Sequence, residues 1–150
     1  KTYSIPGIRV GWVASNTKVA NILRDYRDYT MICAGVFDDM VATLVLENKE
    51  AILERNRQII EENLALMDEW IAKEPKASWI RPASVSTSFV KLDVDRPIEV
   101  FALELLQEYG VLVVPGNRFD KESHVRIGYC CDKEVLQKGL EKLSQFLNKC

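Results

Sequence analysis

The sequence predicts an α/β to α+β chain: one strand and helix, a very long helix, then a small α+β body. Three observations carry this expectation. Apolar residues recur at helical spacing over residues 16–26, 38–74, 97–109 and 132–149, and short apolar or alternating runs bounded by turn residues lie between them. Pro75 then divides a front half with a single strand pattern from a back half that reads strand, strand, helix, strand, strand, helix.

Residues 8–14 form a short apolar run after the turn pair Pro6-Gly7 and are expected to be a buried strand, with Gly11 allowing close backbone approach. Val19, Ile22, Leu23 and Tyr26 follow at i, i+3, i+4, i+7, with Asn16 or Thr17 as cap. Residues 27–35 read as a loop or helix break. In residues 38–74, Val41, Val45, Ile52, Ile59 and Leu66 recur mostly at seven-residue steps, with Asp38 or Asp39 as cap and Pro75 as stop. Unbroken, that helix would run roughly 50 Å at the usual rise per residue; Asn48 offers a place for a bend.

Beyond Pro75, residues 78–81 and 85–94 read as strands. Pro97 suits a helix start, and Ile98, Phe101, Leu105 and Tyr109 mark an amphipathic helix that stops at Gly110 in the C′ position. Residues 111–114 form an apolar strand ended by Pro115-Gly116. In residues 124–130, Val125, Ile127 and Tyr129 alternate with His124, Arg126, Gly128 and Cys130. Asp132 caps a last helix with Val135, Leu136, Leu140, Leu143 and Leu147 on one face.

The chain has 150 residues, 47% hydrophobic content and a net charge of −2 with both signs interspersed. That suffices for one ordinary core, and it argues against a nucleic-acid or polybasic membrane partner. Cys33, Cys130, Cys131 and Cys150 lack metal-ligand spacing, so they read as free thiols in a reducing cytosol, with no metal site expected. Tyr26, Tyr29 and Tyr109 read as packing residues, and the lone His124 as structural or surface.

Two arginines stand inside apolar strand patterns. An unpaired charge there is expensive, so Arg9 calls for an anionic partner, and guanidinium grips phosphate in a bidentate way. Arg126 alternates away from Val125 and Ile127 and so points off the core face. Lys1 precedes Pro6-Gly7, Arg9 and Gly11 at a defined spacing; an amine that is to act as a nucleophile needs burial or a neighbouring cation.

Lys1-Thr-Tyr-Ser-Ile-Pro-Gly-Ile-Arg-Val-Gly-Trp12 resembles the lysine loop of fold-type I aminotransferases, which use pyridoxal 5′-phosphate (PLP). Gly110-Val-Leu-Val-Val-Pro-Gly116 with Phe119, and His124-Val-Arg-Ile-Gly128, resemble that family's small-domain strands in the expected order. The resemblance, to the class I/II aminotransferase family, covers the chain as the family's C-terminal portion starting at the Schiff-base lysine. It implies a large-domain remnant over residues 1–38, an interdomain helix over 39–74, and a small C-terminal α+β domain over 75–150 with a short, mainly antiparallel sheet. It further implies that Lys1 carries PLP and shuttles a proton, that Arg9 holds the cofactor phosphate, and that Arg126 grips the substrate α-carboxylate.

The activity implied is amino-group transfer from an amino acid to a 2-oxo acid, in a cytoplasmic homodimer, with this chain alone inactive. Ser84-Val-Ser-Thr-Ser-Phe89 departs from the glycine pair that many relatives carry, which bears on pocket shape. Two other readings keep the scaffold: a PLP-dependent carbon–sulfur β-lyase, and an aminotransferase-like sensor domain of a transcription regulator. A lone strand over residues 8–14 would expose both edges. The chain is therefore expected to self-associate or swap segments around residues 1–35; a clean monomer by light scattering with residues 1–16 ordered would count against this.

Overall fold

The computed structural model describes residues 2–149; Lys1 and Cys150 lie outside the described residues. Two compact units emerge, Lys1–Asn56 and Arg57–Cys150, with the division falling inside one helix.

The first unit holds helix α1, Thr17–Thr30, helix α2, Val36–Glu47, and the start of helix α3, Lys49–Lys73. Asn16 caps α1 as its residue type predicts, its side-chain oxygen accepting from the Val19 N–H at 3.0 Å. The cap of α2 is Gly35 rather than Asp38 or Asp39, which instead sit in the first turn, where carboxylates suit the positive end of the helix dipole. The bend falls at Asn48, whose side-chain amide donates to the Leu44 carbonyl at 2.8 Å, competing with the helix ladder.

Residues 8–14 are not a strand: they run without ladder partners, and a strand exists only through pairing. The expected exposed strand edges are thus absent. What this segment exposes is side chains, Trp12 and Val13 among them. The stripe of α1 is likewise exposed, as are Tyr26 and Tyr29, so these tyrosines do not pack in the unit. The chain's opening residues are tied by Asn56, which is buried and donates from its amide to the Thr2 carbonyl at 2.9 Å.

The second unit contains the rest of α3, strands β1, Ala77–Trp79, and β2, Thr87–Leu92, helix α4, Ile98–Tyr109, strand β3, Val114–Pro115, a single 3-10 turn, Gly116–Phe119, strand β4, His124–Gly128, and helix α5, Lys133–Lys149. The sheet is antiparallel throughout, in the order β1-β2-β4-β3. The strands are shorter than their apolar runs; Val111 and Val113 pack on the core without a ladder while Leu112 is exposed, and only Val114 and Pro115 pair with β4.

Alternation explains the sheet's two faces. Val90, Leu92, Val125 and Ile127 are buried in one cluster with Leu64, Met67 and Trp70 of α3, Phe101 and Leu105 of α4, and Leu140, Leu143, Phe146 and Leu147 of α5. Phe101 and Phe146 meet at 5.0 Å, and Tyr109 packs on Phe146 at 5.4 Å. On α5 the sequence reading included Val135, which is 60% exposed, and passed over Phe146, which is buried; the true stripe is rotated by part of a turn.

Polar groups complete this core. Asn63 is buried and donates to the Tyr129 carbonyl at 2.7 Å and the Cys131 carbonyl at 2.8 Å, pinning α3 to the end of β4. Buried Glu74 accepts from Ser144 Oγ at 2.6 Å, and Ser144 in turn accepts from the Trp70 indole at 2.8 Å. Gly110 ends α4 at φ 67°, the left-handed conformation that glycine adopts without strain. A Cβ on Gly116 would overlap the carbonyl oxygens of Lys121 and His124.

Because those overlaps are with backbone, Gly116→Ala is expected to lower unfolding free energy by about 1–3 kcal/mol, the usual range for overpacking, read as a shift of the urea midpoint. Asn63→Leu, which leaves two inner carbonyls without their donor, is expected to cost a comparable amount.

Candidate functional site

The open face of the sheet carries the residues that the core face rejects. β2 turns Thr87, Phe89 and Lys91 outward, and β4 turns His124, Arg126 and Gly128 outward. The register sets Phe89 opposite Arg126 and Lys91 opposite His124, while Val114 of β3 lies opposite Arg126 on the other side. Arg126 is exposed, and its guanidinium carbon stands 5.2 Å from the centre of the Phe119 ring. Phe119 meets Phe89 edge-on at 5.8 Å, and Phe89 stacks on His124 at 5.0 Å and 18°. An aromatic platform thus runs beside the arginine.

The charge of Arg126 is not neutralised. Arg81 Nε donates to both Asp68 carboxylate oxygens at 2.9 Å, Arg96 bonds Glu104, and Arg118 bonds Glu99. Among the described residues Arg126 has no carboxylate within ion-pair distance. Its N–H edge therefore keeps its donors for an incoming anion.

His124 is half-buried, as its structural reading anticipated, and its Nδ1 is enclosed with no hydrogen-bond partner among the described residues. Burial, and then the nearby ammonium groups of Lys121 and Lys91, push its pKa below the ordinary histidine value.

In the first unit, Arg9 lines a cleft of ≈ 630 Å³ with Tyr3, Pro6, Trp12, Val45 and Leu46. It is not inside a strand. It is exposed, and one N–H donates to the Pro6 carbonyl at 2.9 Å, closing the turn that Pro6-Gly7 begins. One donor so used leaves the rest of the guanidinium for an anion, a donor set that suits a phosphate monoester. Lys1, expected to be the catalytic residue, falls outside the described residues. Cys33, Cys130 and Cys131 are free thiols, and burial raises the pKa of Cys131.

The family model for aminotransferase class I and II matches residues 1–143. The chain belongs to this family. A PLP-dependent aminotransferase from Streptococcus suis 89-1591 superposes with a TM-score of 0.95 at 67% identity, over 99% of this chain and 40% of its own. The aspartate aminotransferase of Thermotoga maritima gives 0.85 at 28% identity, over 99% of this chain and 38% of its own. Capreomycidine synthase of Streptomyces vinaceus is 29% identical over 148 residues, 98% of this chain and 38% of its own length. The chain therefore spans about 40% of these aminotransferase-family proteins.

In this aminotransferase-family chain, sequence reasoning singled out Arg9 and Arg126, and the structure sets each on an accessible surface. It missed the aromatic partners of Arg126. Phe89 was detectable, since alternation turns it to the same face as its strand neighbours Thr87 and Lys91. Phe119 lies in a 3-10 turn, where no period reveals orientation.

The lowered pKa of His124 makes a prediction whose sign follows from linkage. The unfolded chain binds the proton more readily, so stability is whole above the ordinary value of 6.5 and falls as pH drops through the lowered folded value. His124→Phe, which keeps a ring on Phe89, is expected to flatten stability against pH below 6.5, measured by urea denaturation from pH 5 to 7.5.

Proposed function

We propose that the full-length protein carrying this chain is a PLP-dependent aminotransferase that moves an amino group from an amino acid to a 2-oxo acid. The observation that carries this reading is Arg126: a guanidinium on an open sheet face, braced by a ring and lacking a carboxylate of its own. Such a group is suited to a substrate α-carboxylate.

In this reading Lys1 holds the cofactor and moves a proton at the substrate Cα. Arg9 anchors the cofactor phosphate, and Arg126 orients the amino acid so that its Cα–H faces the reacting centre. The cofactor itself supplies the electron sink. Residues 1–38 are the part of the cofactor-binding body present in this chain, 39–74 the connector, and 75–150 the substrate-side domain. The sharing of α3 between both compact units supports a connector role for that helix. The chain alone lacks activity, consistent with its share of its relatives' length.

A homodimer is the proposed assembly, supported by the exposed Val36, Phe37 and Met40 of α2. A cytoplasmic setting is supported by three free thiols. Among the described residues no helix is long and apolar enough to cross a membrane. A second reading, a different outcome on the same cofactor, is favoured by one observation: similar proteins include a synthase and a PLP-dependent cyclase.

The test is the visible spectrum of the freshly purified full-length protein. A yellow band that fades on adding an amino acid and returns with a 2-oxo acid supports transfer; fading without return supports the second reading. A colourless protein that takes up no added PLP overturns both. Arg126→Lys is expected to cut kcat/KM for the amino donor about ten- to a hundredfold, since it removes a bidentate charge-assisted contact.

A further inference from the structure

We infer that Phe119 is a positioning residue for Arg126: its ring holds the guanidinium over the open sheet face and so sets the affinity for the substrate carboxylate. The inference rests on the carboxylate role proposed for Arg126 and deepens it.

Three observations converge on Phe119. It is 45% exposed and stands outside the buried cluster, so core packing does not account for a large ring there. Its ring faces the Arg126 guanidinium carbon at 5.2 Å, within cation–π range. Its other contact, edge-on with Phe89 at 5.8 Å, fixes the ring's tilt, and Phe89 is itself held by His124.

The turn that bears it is fixed independently of the arginine. Gly116 is locked against the carbonyls of Lys121 and His124, while Asn117 donates to Glu99 at 2.9 Å and Arg118 also bonds Glu99. The ring is thus a prepared surface rather than one that follows the arginine.

The choice of a ring has a chemical reason. A carboxylate partner, as on Arg81, Arg96 and Arg118, would fix the guanidinium but occupy its N–H edge and cancel its charge. An aromatic ring engages the cation through its own face and takes no N–H donor. Arginine side chains have many rotamers, and restricting them beforehand lowers the ordering that binding would otherwise require.

The experiment compares Phe119→Leu, Phe119→Met and Phe119→Tyr in the full-length protein. The readouts are KM and kcat for an α-amino acid, inhibition by a simple monocarboxylate, and KM for the corresponding amine lacking the carboxylate. Both aliphatic variants are expected to raise the amino-acid KM and the monocarboxylate inhibition constant together, by about three- to fivefold, as loss of an exposed cation–π contact would give. The tyrosine variant is expected to restore both, and the amine KM to stay put.

Equal loss in all three variants, unchanged carboxylate inhibition in the aliphatic ones, or an amine KM that rises in parallel would each overturn the inference. Arg126→Lys separates it from the underlying reading. If that variant leaves carboxylate inhibition intact, the role of Arg126 itself fails. If it abolishes inhibition while the aliphatic variants change nothing, only the role of Phe119 fails.

Discussion

The second unit depends on the antiparallel pairing of β2 with β4 and on the register of that pairing. Val90 opposite Val125 fills the core, and one residue earlier Phe89 opposite Arg126 builds the open face. Both facts come from one alignment of backbone hydrogen bonds. A slip of one residue would bury an arginine and expose a valine, so the burial that stabilises the sheet also aims the cation. Asn63 reinforces the arrangement by satisfying two carbonyls just beyond β4, where the ladder has ended.

The two units differ in how they are held. The second has a continuous apolar cluster drawn from α3, α4, α5 and strands β1, β2 and β4, whereas in the first Asn56 is the single buried residue among those described. The first unit keeps its helices through caps and local bonds, such as Asn16 on α1 and the Asn48 amide on the Leu44 carbonyl where α2 ends. Its apolar stripes are genuine but largely exposed, that of α1 throughout. Such stripes are what a helix shows when its packing partner lies elsewhere.

This difference decides what was legible in the sequence. Periodicity reports which side of an element is apolar, so α4 with Gly110 at its end, the alternation of β4 and the outward direction of Arg126 could be read directly. It does not report whether anything covers that side, which is why Tyr26 and Tyr29 were misjudged and why residues 8–14 look like a strand without being one. Nor does it show contacts that depend on the folded chain: Ser144 on Glu74 and Asn63 on Cys131 from far along the sequence, or Phe119 against Arg126 across a turn. Arg9 lies between these cases. Its residue type predicted an anion site, but the turn that positions it, closed on Pro6, is local backbone geometry that an apolar run conceals.

The sheet ends on two very short borders. β1 has three residues and β3 two, the second of them Pro115, which has no N–H to offer. A border this brief gives an unfolded neighbour almost no rung on which to start, so the sheet is poorly suited to seeding fibrous growth. Contacts of this sheet with another chain are therefore left to its side-chain surfaces. Such contacts can be loosened by a single polar substitution, whereas growth along a backbone ladder, once begun, is insensitive to most of them.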